Sequence, residues 1–146
     1  MLFIAFLVER LRQSDAFIPE LSLVAIINEQ IVGHIILTKI FIENKNSKFP
    51  SLALAPVSVL PEYQGQRIGS QLIKTAHEKA KTLGYQSIIL LGHKTYYPRF
   101  GYRQTGDFGI NLPFEAPKEN CMAIELVENA LQNVSGTVVY SNAFFE

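Results

Sequence analysis

The segment Pro61–Ser70, which reads Pro-Glu-Tyr-Gln-Gly-Gln-Arg-Ile-Gly-Ser, carries residue types that suit phosphate binding. It leaves an apolar run and opens a helical pattern, so its successive backbone N–H groups can form a concavity beside a positive helix end. Gly65 and Gly69 would let the main chain approach an anion, and Arg67 can add a positive charge. The segment has neither the Lys-Ser/Thr ending of a P-loop nor the glycine spacing of a dinucleotide fingerprint. It predicts a pyrophosphate site of another kind, although a structural strand-to-helix turn fits the same pattern.

The elements before this segment follow from the hydrophobic periodicity of the chain. Helical spacing predicts a first helix from Phe3 to about Ser14, after which the period changes. The β-branched runs Leu21–Ile27 and Ile31–Glu43 flank a short polar turn and predict an antiparallel hairpin. A third strand, Ser51–Val59, contains Pro56, and a proline within a strand marks an edge, a bulge or a parting of strands. The backbone near Pro56 is therefore expected to be free for a ligand.

The elements after the segment predict a mixed sheet. Helical spacing from Ile68 to Leu83 ends at Gly84, and the strand Ser87–Leu91 follows at a distance that fits a crossover, so it should pair in parallel with the proline strand. The remaining predicted pieces are a short turn or helix at Tyr96–Phe100 and extended segments at Tyr102–Gln104, Cys121–Leu126 and Gly136–Tyr140.

The length and composition of the chain limit the classes of function that it can have. The 146 residues, 48% of them hydrophobic, predict one globular domain spanning residues 1–146. Thirteen Lys+Arg balance thirteen Asp+Glu, so no global field favours nucleic acid or an anionic membrane, and neither is expected as a partner. The single cysteine, Cys121, predicts a reducing, cytoplasmic setting, and the three histidines have no metal-ligand spacing, so no metal is expected. The apolar Met1–Val8 stretch lacks the flanks of a signal peptide and is too short to span a bilayer.

At the loop and at a second block the sequence resembles the GNAT superfamily of acetyl-CoA-dependent N-acetyltransferases. The family's Gln/Arg-x-x-Gly-x-Gly/Ala pattern after a Val-x-Pro strand end is similar to Val59–Pro61 followed by Gln64–Gly69, with Arg67 in place of the middle glycine. The block Tyr96–Tyr102 resembles the family's Tyr-x-x-x-Gly-Phe/Tyr element and is similar to a small bacterial branch that carries Tyr-Tyr-x-Arg-Phe-Gly. The resemblance covers the chain from the first helix through Leu126.

The resemblance implies an α/β (α+β) fold with a mixed, mostly antiparallel central sheet, flanking helices and a splayed parallel strand pair. The strands ending at Val59 and Leu91 would diverge into a V-shaped cleft for acetyl-CoA as cosubstrate, whose pantetheine amides would pair like an added strand. A free backbone N–H there would serve the oxyanion. The implied cofactor-binding residues are Val57, Ser58 and Val59 for pantetheine, and Gln64, Gly65, Gln66, Arg67, Ile68, Gly69 and Ser70 for pyrophosphate.

Tyr97 occupies the tyrosine of the family element and is the implied general acid. A phenol with a pKa near ~10 can protonate a thiolate whose conjugate acid has a pKa near ~8.5, provided that it is well positioned. Tyr96 is the rival, and either tyrosine also fits as a packing residue. For the general base, Glu20 and His93 are the candidates, each of which also fits a structural role.

The remaining titratable side chains fit structural roles better. His34 lies in an apolar run and suits an interior position, His77 suits a solvated helix face, and Cys121 suits packing. Family members usually begin with a strand and a helix ahead of the segment matching Val8–Leu23, so the start is either shortened or lacks upstream sequence. The strand at Leu21–Ile27 would then present a free edge beside apolar residues, which predicts a homodimer.

The function implied is transfer of an acetyl group from acetyl-CoA to a primary amine, directly and without an acyl-enzyme. An acetyl-CoA-binding regulator or sensor is the alternative, and a noncatalytic scaffold is a third reading. The acceptor would meet the segments Phe17–Leu21 and Asp107–Asn120, which leave a small amine, an amino-acid derivative and a protein N-terminus all open.

Overall fold

A computed structural model of the protein describes residues 10–144. The described residues form an eight-stranded sheet with a fifteen-residue helix, α1, packed on one face. The elements in chain order are β1 (Phe17–Ile27), β2 (Gln30–Glu43), β3 (Lys48–Val59), α1 (Ile68–Thr82), β4 (Ser87–Leu91), β5 (Arg103–Gln104), β6 (Ile110–Asn111), β7 (Cys121–Glu125) and β8 (Gly136–Val139). Short 3-10 turns lie at Pro61–Tyr63, Tyr97–Phe100, Thr105–Phe108, Lys118–Asn120 and Asn142–Phe144.

The sheet is mixed and runs in the order β5-β7-β4-β3-β2-β8-β6, with β1 also paired to β2. The β3–β4 and β6–β8 pairs are parallel, and the other pairs are antiparallel. The crossover through α1 makes β3 and β4 parallel, because a helix between two strands returns the chain to the same end of the sheet. The predicted α/β (α+β) class and its mostly antiparallel sheet are confirmed.

The first hairpin turns where the polar residues predicted it. Asn28 and Glu29 have φ values of 50° and 68°, the left-handed pair that a tight two-residue hairpin requires. Strand β1 begins at Phe17, four residues earlier than the pattern indicated, and its register shifts between Phe17 and Ser22 around Pro19. Residues 10–12 are helical, and the rest of the predicted first helix, residues 3–9, lies outside the described residues.

Helix α1 is held by apolar side chains repeated every three or four residues. Its buried face packs on the sheet through a core that includes Leu21, Ile35 and Ile88, and each fully buried aliphatic side chain contributes about 1.5–3 kcal/mol. Gly33 of β2 allows the close approach, since a Cβ there would lie 3.1 Å from Leu72 Cδ1. The buried positions of the helix are Ile68, Leu72, Ile73, Ala76 and Ala80. A second core, on Ile40, Ile42, Ile89 and Val138, fills the opposite face.

Strands β3 and β4 part as predicted. Their ladder pairing covers the two steps Leu52–Ile88 and Ala53–Ile89, and it does not continue toward Val59 and Leu91. The register of β3 against β2 shifts between Leu54 and Val57, so Ala55 and Pro56 form a bulge at the parting. The splay opens the sheet toward the loop that begins α1. Within residues 10–144 there is no helix with the length and apolar character needed to cross a membrane.

Candidate active site

The parted strands border a cavity of about 640 Å³, here named the strand cleft. Its walls come from the ends of β3 and β4, from Tyr97, and from the loop that precedes β7. Because strand ends and loops converge there, a ligand would meet both backbone groups and side chains. The lining residues are Leu54, Ala55, Val57, Leu91, Gly92, His93, Tyr97, Glu115, Ala116, Pro117 and Asn120.

One backbone edge of β3 faces this opening. The N–H of Leu60 donates to the carbonyl of Val32 at 2.8 Å, which directs Leu60 toward β2. Since successive residues of a strand present their backbone groups to opposite edges, Ser58 also faces β2, whereas Val57 and Val59 face away from it. Val57 and Val59 are therefore the backbone partners that β3 offers to a ligand, and the backbone of Ser58 is directed at its own sheet.

The predicted phosphate loop lines a second cavity of about 370 Å³, here named the phosphate pocket. Gln64 stabilises the loop, because its Nε2 donates to the carbonyl of Val59 at 3.0 Å. Gly65 and Arg67 have positive φ values of 82° and 65°, and Arg67 is the N-cap residue of α1. The pocket is lined by Val59, Tyr63, Gln64, Gly65, Arg67, Ile68, Gly69, Ser70, Tyr96 and Arg99. Gln66 belongs to the loop but does not line the pocket.

The start of α1 supplies donors to this pocket. The first helical hydrogen bond runs from the N–H of Gln71 to the carbonyl of Arg67, so the N–H groups of Ile68, Gly69 and Ser70 precede the helical ladder. Aligned peptide dipoles add partial positive charge at the same end. Arg67 adopts the left-handed conformation at the family's glycine position, which costs a non-glycine residue roughly 1–2 kcal/mol. Donors, dipole and arginine together make the pocket suitable for a pyrophosphate.

Two tyrosines that are adjacent in sequence, Tyr96 and Tyr97, line different cavities. Tyr96 lines the phosphate pocket, where its Oη lies 3.4 Å from Ser70 Oγ and the Arg99 guanidinium stands 4.7 Å from its ring centroid. Tyr97 lines the strand cleft with a side chain that is only 8% exposed. Sequence reasoning assigned no phosphate-pocket role to Tyr96 or Arg99. The arginine of the Tyr-Tyr-Pro-Arg-Phe-Gly block was the available signal, since a cation is useful near phosphate.

Tyr97 is held by a chain of aromatic contacts that ends in a hydrogen bond. Its ring meets Tyr102 edge-on, with centroids 5.7 Å apart and planes at 77°. Tyr102 is almost fully buried, and its Oη lies 2.8 Å from Nε2 of His77 on α1. Burial lowers the pKa of His77 to about 4, and burial raises the pKa of Tyr102 well above its ordinary value. Near neutral pH the hydrogen bond therefore joins a neutral His77 to a protonated Tyr102 hydroxyl.

The protonation of Tyr97 follows from the same surroundings. Burial, with a smaller contribution from Tyr96, raises the pKa of the Tyr97 phenol above the ordinary ~10. The phenol is therefore protonated near neutral pH and can act as a proton donor. Because its pKa exceeds that of a typical thiol, proton transfer to a thiolate depends on close positioning.

Of the two predicted base candidates, His93 lies in the strand cleft and Glu20 does not. The carbonyl of His93 also accepts from the N–H of Tyr96 at 3.2 Å, which ties the base candidate to the tyrosine turn. Glu20 lies near Tyr85, whose pKa is raised mainly by burial and also by that carboxylate, beside the opposite end of β4. Sequence reasoning missed Glu115, a carboxylate among apolar loop residues that lines the cleft.

The other singled-out side chains have structural contacts. His34 is half-buried, its Nε2 lies 3.4 Å from Ser22 Oγ, and its pKa is lowered by burial and by Arg12. Burial, and to a lesser extent Glu119, raises the pKa of the Cys121 thiol, which donates to the carbonyl of Pro117 at 3.5 Å. His77, expected on a solvated helix face, instead bonds a buried tyrosine. Across residues 10–144, no three His, Cys, Asp or Glu side chains are grouped as metal ligands.

A mixed sheet that parts at a parallel strand pair, with a helix N-terminus beside the parting, defines the GNAT class of folds. The chain belongs to this family, because residues 19–104 match the acetyltransferase (GNAT) domain model. It is 38% identical over 115 residues to the uncharacterized N-acetyltransferase YjhQ of Escherichia coli. That match covers 78% of this chain and 64% of YjhQ, so the chain spans less than two thirds of that relative.

Two crystal structures are similar over nearly the whole chain. The GNAT family N-acetyltransferase YhbS of Escherichia coli in complex with CoA gives a TM-score of 0.89 at 25% identity, covering 98% of this chain and 78% of that one. A GNAT family acetyltransferase from Brucella melitensis in complex with acetyl-CoA gives 0.74 at 30% identity, covering 94% and 75%. The predicted membership of the GNAT superfamily is confirmed.

Proposed function

We propose that the protein is an N-acetyltransferase that moves the acetyl group of acetyl-CoA directly to a primary amine. The observation that carries this proposal is the edge of β3, along which Val59 lines the phosphate pocket and Val57 lines the strand cleft. Two residues of a strand span about 6.6 Å, so one extended ligand can touch both cavities along this edge. The CoA and acetyl-CoA complexes of YhbS and the Brucella melitensis protein support this class of ligand.

The phosphate pocket is the proposed pyrophosphate site. The N–H groups of Ile68, Gly69 and Ser70 would bind the phosphate oxygens, with Arg67 and Arg99 as nearby cations. Gln64 shapes the loop through its bond to the Val59 carbonyl. Gln66 lies in the same loop but would not contact the pyrophosphate directly. The pantetheine amides would pair with the backbone of Val57 and Val59, and Ser58 would support this edge from its position against β2.

Tyr97 is the proposed general acid. Acetyl-CoA supplies a thioester carbonyl as electrophile and a thiolate as leaving group. A backbone N–H on the exposed edge of β3, at Val57 or Val59, would stabilise the oxyanion, and the Tyr97 phenol would deliver a proton to sulfur. His93, in the same cleft, is the proposed acceptor of the proton that the amine gives up. Cys121 takes no part, since its buried thiol is committed to a structural contact.

A screen of primary amines with acetyl-CoA, read as thiol release, tests this function. Turnover on an amine together with calorimetric CoA binding supports the enzyme. CoA binding without turnover on any amine would favour the alternative, an acetyl-CoA-binding regulator or sensor. Failure to bind CoA would leave a noncatalytic scaffold.

The proposed setting is one acetyltransferase domain, residues 1–146, in the bacterial cytoplasm, with an amine as the partner rather than nucleic acid or membrane. A free cysteine and a balanced charge support this setting. A homodimer through β1 is also proposed, because β1 pairs with β2 alone among the described strands and Ile26 is 61% exposed. The apolar Met1–Val8 half of the predicted interface lies outside the described residues.

A further inference from the structure

A third cavity, here named the loop cavity, adjoins the strand cleft. It has a volume of about 770 Å³ and lies under the chain between β5 and β7. Glu115, Ala116 and Pro117 line both the loop cavity and the strand cleft, so the two spaces meet across one short stretch of loop. The other lining residues are Gln104, Thr105, Gly106, Ile110, Asn111, Leu112, Phe114, Lys118 and Cys121.

The lining of the loop cavity is amphipathic, with the charges in distinct places. Ile110, Leu112 and Phe114 supply apolar walls, and the Phe114 ring stacks on Tyr140 with centroids 6.0 Å apart. Glu115 is the carboxylate of this lining, and it stands where the cavity meets the cleft. Lys118 also lines the cavity, but it does not line the cleft. A ligand with a cation at the junction and an apolar body would match this distribution.

We propose that the loop cavity binds the body of the acceptor, and that the acceptor is a primary amine with an apolar or aromatic body. This inference rests on the proposed function, because the strand cleft must supply the acetyl group. The Glu115 carboxylate would hold the ammonium group at the mouth of the cleft. The volume lies in the range of small-molecule sites, which favours a small amine over a protein segment. A polyamine would bring a second cation against Lys118 and is disfavoured.

The transfer balances with the groups already described. The ammonium releases one proton to solvent water to become the free amine, and the amine nitrogen then forms a bond to the thioester carbonyl carbon. The carbon–sulfur bond breaks with its electron pair on sulfur. The nitrogen gives its surplus proton to His93, and sulfur takes the phenol proton of Tyr97. His93 then loses its extra proton to solvent and Tyr97 regains one from solvent, so both groups return to their starting forms. Glu115 binds and aligns the amine and is unchanged by the reaction.

Two substitutions test the cavity and the carboxylate separately. Gly106→Leu adds bulk at a residue that lines the cavity, where a Cβ has no atom within 4 Å and φ lies outside the left-handed range. Glu115→Gln removes the charge and keeps the shape. Glu119→Gln is the matched control, since Glu119 lies on the same loop but lines neither cavity. Glu115 is exposed, so the variant with glutamine is expected to fold.

The readout is binding of amines to the CoA-saturated protein by calorimetry, which does not depend on turnover. Phenethylamine should bind at least about tenfold more tightly than ethylamine or spermidine, because its aromatic ring would leave water for the apolar walls of the cavity. Gly106→Leu should remove this preference while leaving ethylamine binding unchanged. Glu115→Gln should weaken phenethylamine binding roughly threefold to tenfold, as for a charged hydrogen bond at an exposed site, and Glu119→Gln should not.

Equal binding of the three amines, or a phenethylamine affinity unchanged by both Gly106→Leu and Glu115→Gln, would overturn the assignment. Tight binding of an N-terminal peptide with no binding of phenethylamine would also overturn it. If phenethylamine binds as expected but thiol is not released from acetyl-CoA, the proposed function fails while the amine site stands. If an amine is acetylated with thiol release, and neither Gly106→Leu nor Glu115→Gln changes its binding, the proposed function stands and the loop cavity is not the acceptor site.

Discussion

The ring of Tyr97 lies directly over the α-carbon of Gly92, at the end of β4. A Cβ on Gly92 would meet Cε2 of the tyrosine ring and lie 2.8 Å from its Cδ2. The φ of Gly92 is not in the left-handed range, so the position requires glycine for space and not for backbone conformation. With Tyr102 packed edge-on against it, the Tyr97 ring is held between a bare strand end and a buried aromatic neighbour.

Gly92→Ala should therefore impair turnover more than CoA binding. The added methyl group must displace the Tyr97 ring from the strand cleft, at a stability cost of about 1–3 kcal/mol for overpacking. We expect kcat to fall at least about tenfold, since proton transfer is sensitive to position. Steady-state kinetics and CoA calorimetry check this. In the double variant Gly92→Ala with Tyr97→Phe, kcat should be no lower than in Tyr97→Phe alone. Additive losses would show that Gly92→Ala does not act by displacing Tyr97.

Tyr97→Phe should lower kcat by about tenfold to ten-thousandfold and leave CoA affinity nearly unchanged, because the ring remains and the proton is lost. Tyr96→Phe is the matched control and should retain most of kcat. Since the pKa of Tyr97 is raised, its acid form persists to higher pH, and loss of this acid should shift the basic-side decline of the wild-type kcat above the range of an ordinary tyrosine. Full turnover by Tyr97→Phe with loss in Tyr96→Phe would move the role to Tyr96.

Substitutions in the phosphate loop should distinguish the contribution of the backbone to CoA binding from the contribution of the Arg67 charge. Gly69→Pro removes an N–H in the first turn of α1, where proline is tolerated, and Gly65→Val places a branched side chain at a φ of 82°. Gly69→Pro should weaken CoA binding about tenfold or more, because a hydrogen bond to a charged group is worth ~1.5–3 kcal/mol. Gly65→Val should also weaken it, because a branched side chain disfavours the left-handed backbone that shapes the loop. Arg67→Ala should do less. Unchanged calorimetric affinities in both glycine variants would refute the pyrophosphate site.

His77 should make stability fall as the pH is lowered from 7 to 5. Its pKa of about 4 in the folded state is below the unfolded value near 6.5, so the unfolded chain binds more protons in this window. The loss should be on the order of 1–2 kcal/mol. His77→Gln keeps an acceptor for Tyr102 and should flatten this part of the profile, whereas His77→Leu should cost ~1–3 kcal/mol at pH 7 by orphaning a buried hydroxyl. Urea unfolding at both pH values measures these differences.

The proposed dimer should dissociate when charge is placed on the outer edge of the first hairpin. Ile26→Lys adds a cation to a 61% exposed position on β1, and edge charges block strand association. Val127→Lys, at an exposed apolar residue outside the strands, is the control. Sedimentation equilibrium at micromolar concentration should give a dimer for the wild type and the control, and a monomer for Ile26→Lys. A wild-type monomer would remove the proposal.

The features predicted best from the sequence are those set by short-range constraints. The hairpin turn, helix α1 with its stop near Gly84, and the parting near Pro56 each depend on residues close together in the chain. Apolar spacing specifies the helix, the turn residues specify the hairpin, and the missing N–H of proline interrupts the strand ladder, so the local sequence leaves few other conformations for these elements. The loop Gln64–Gly69 and the block around Tyr97 also lie in contiguous segments, which is why the family could be named from them.

The tertiary structure alone decided which side chains share a site. Tyr96 and Tyr97 are neighbours in sequence, yet they face different cavities, because the turn directs one toward α1 and the other across Gly92. Glu20 and Glu115 are both loop-like acidic residues in the sequence, and only the sheet order puts one away from the cleft and the other at its wall. Such placements depend on contacts between residues far apart in the chain, and the periodicity of a single segment does not encode them.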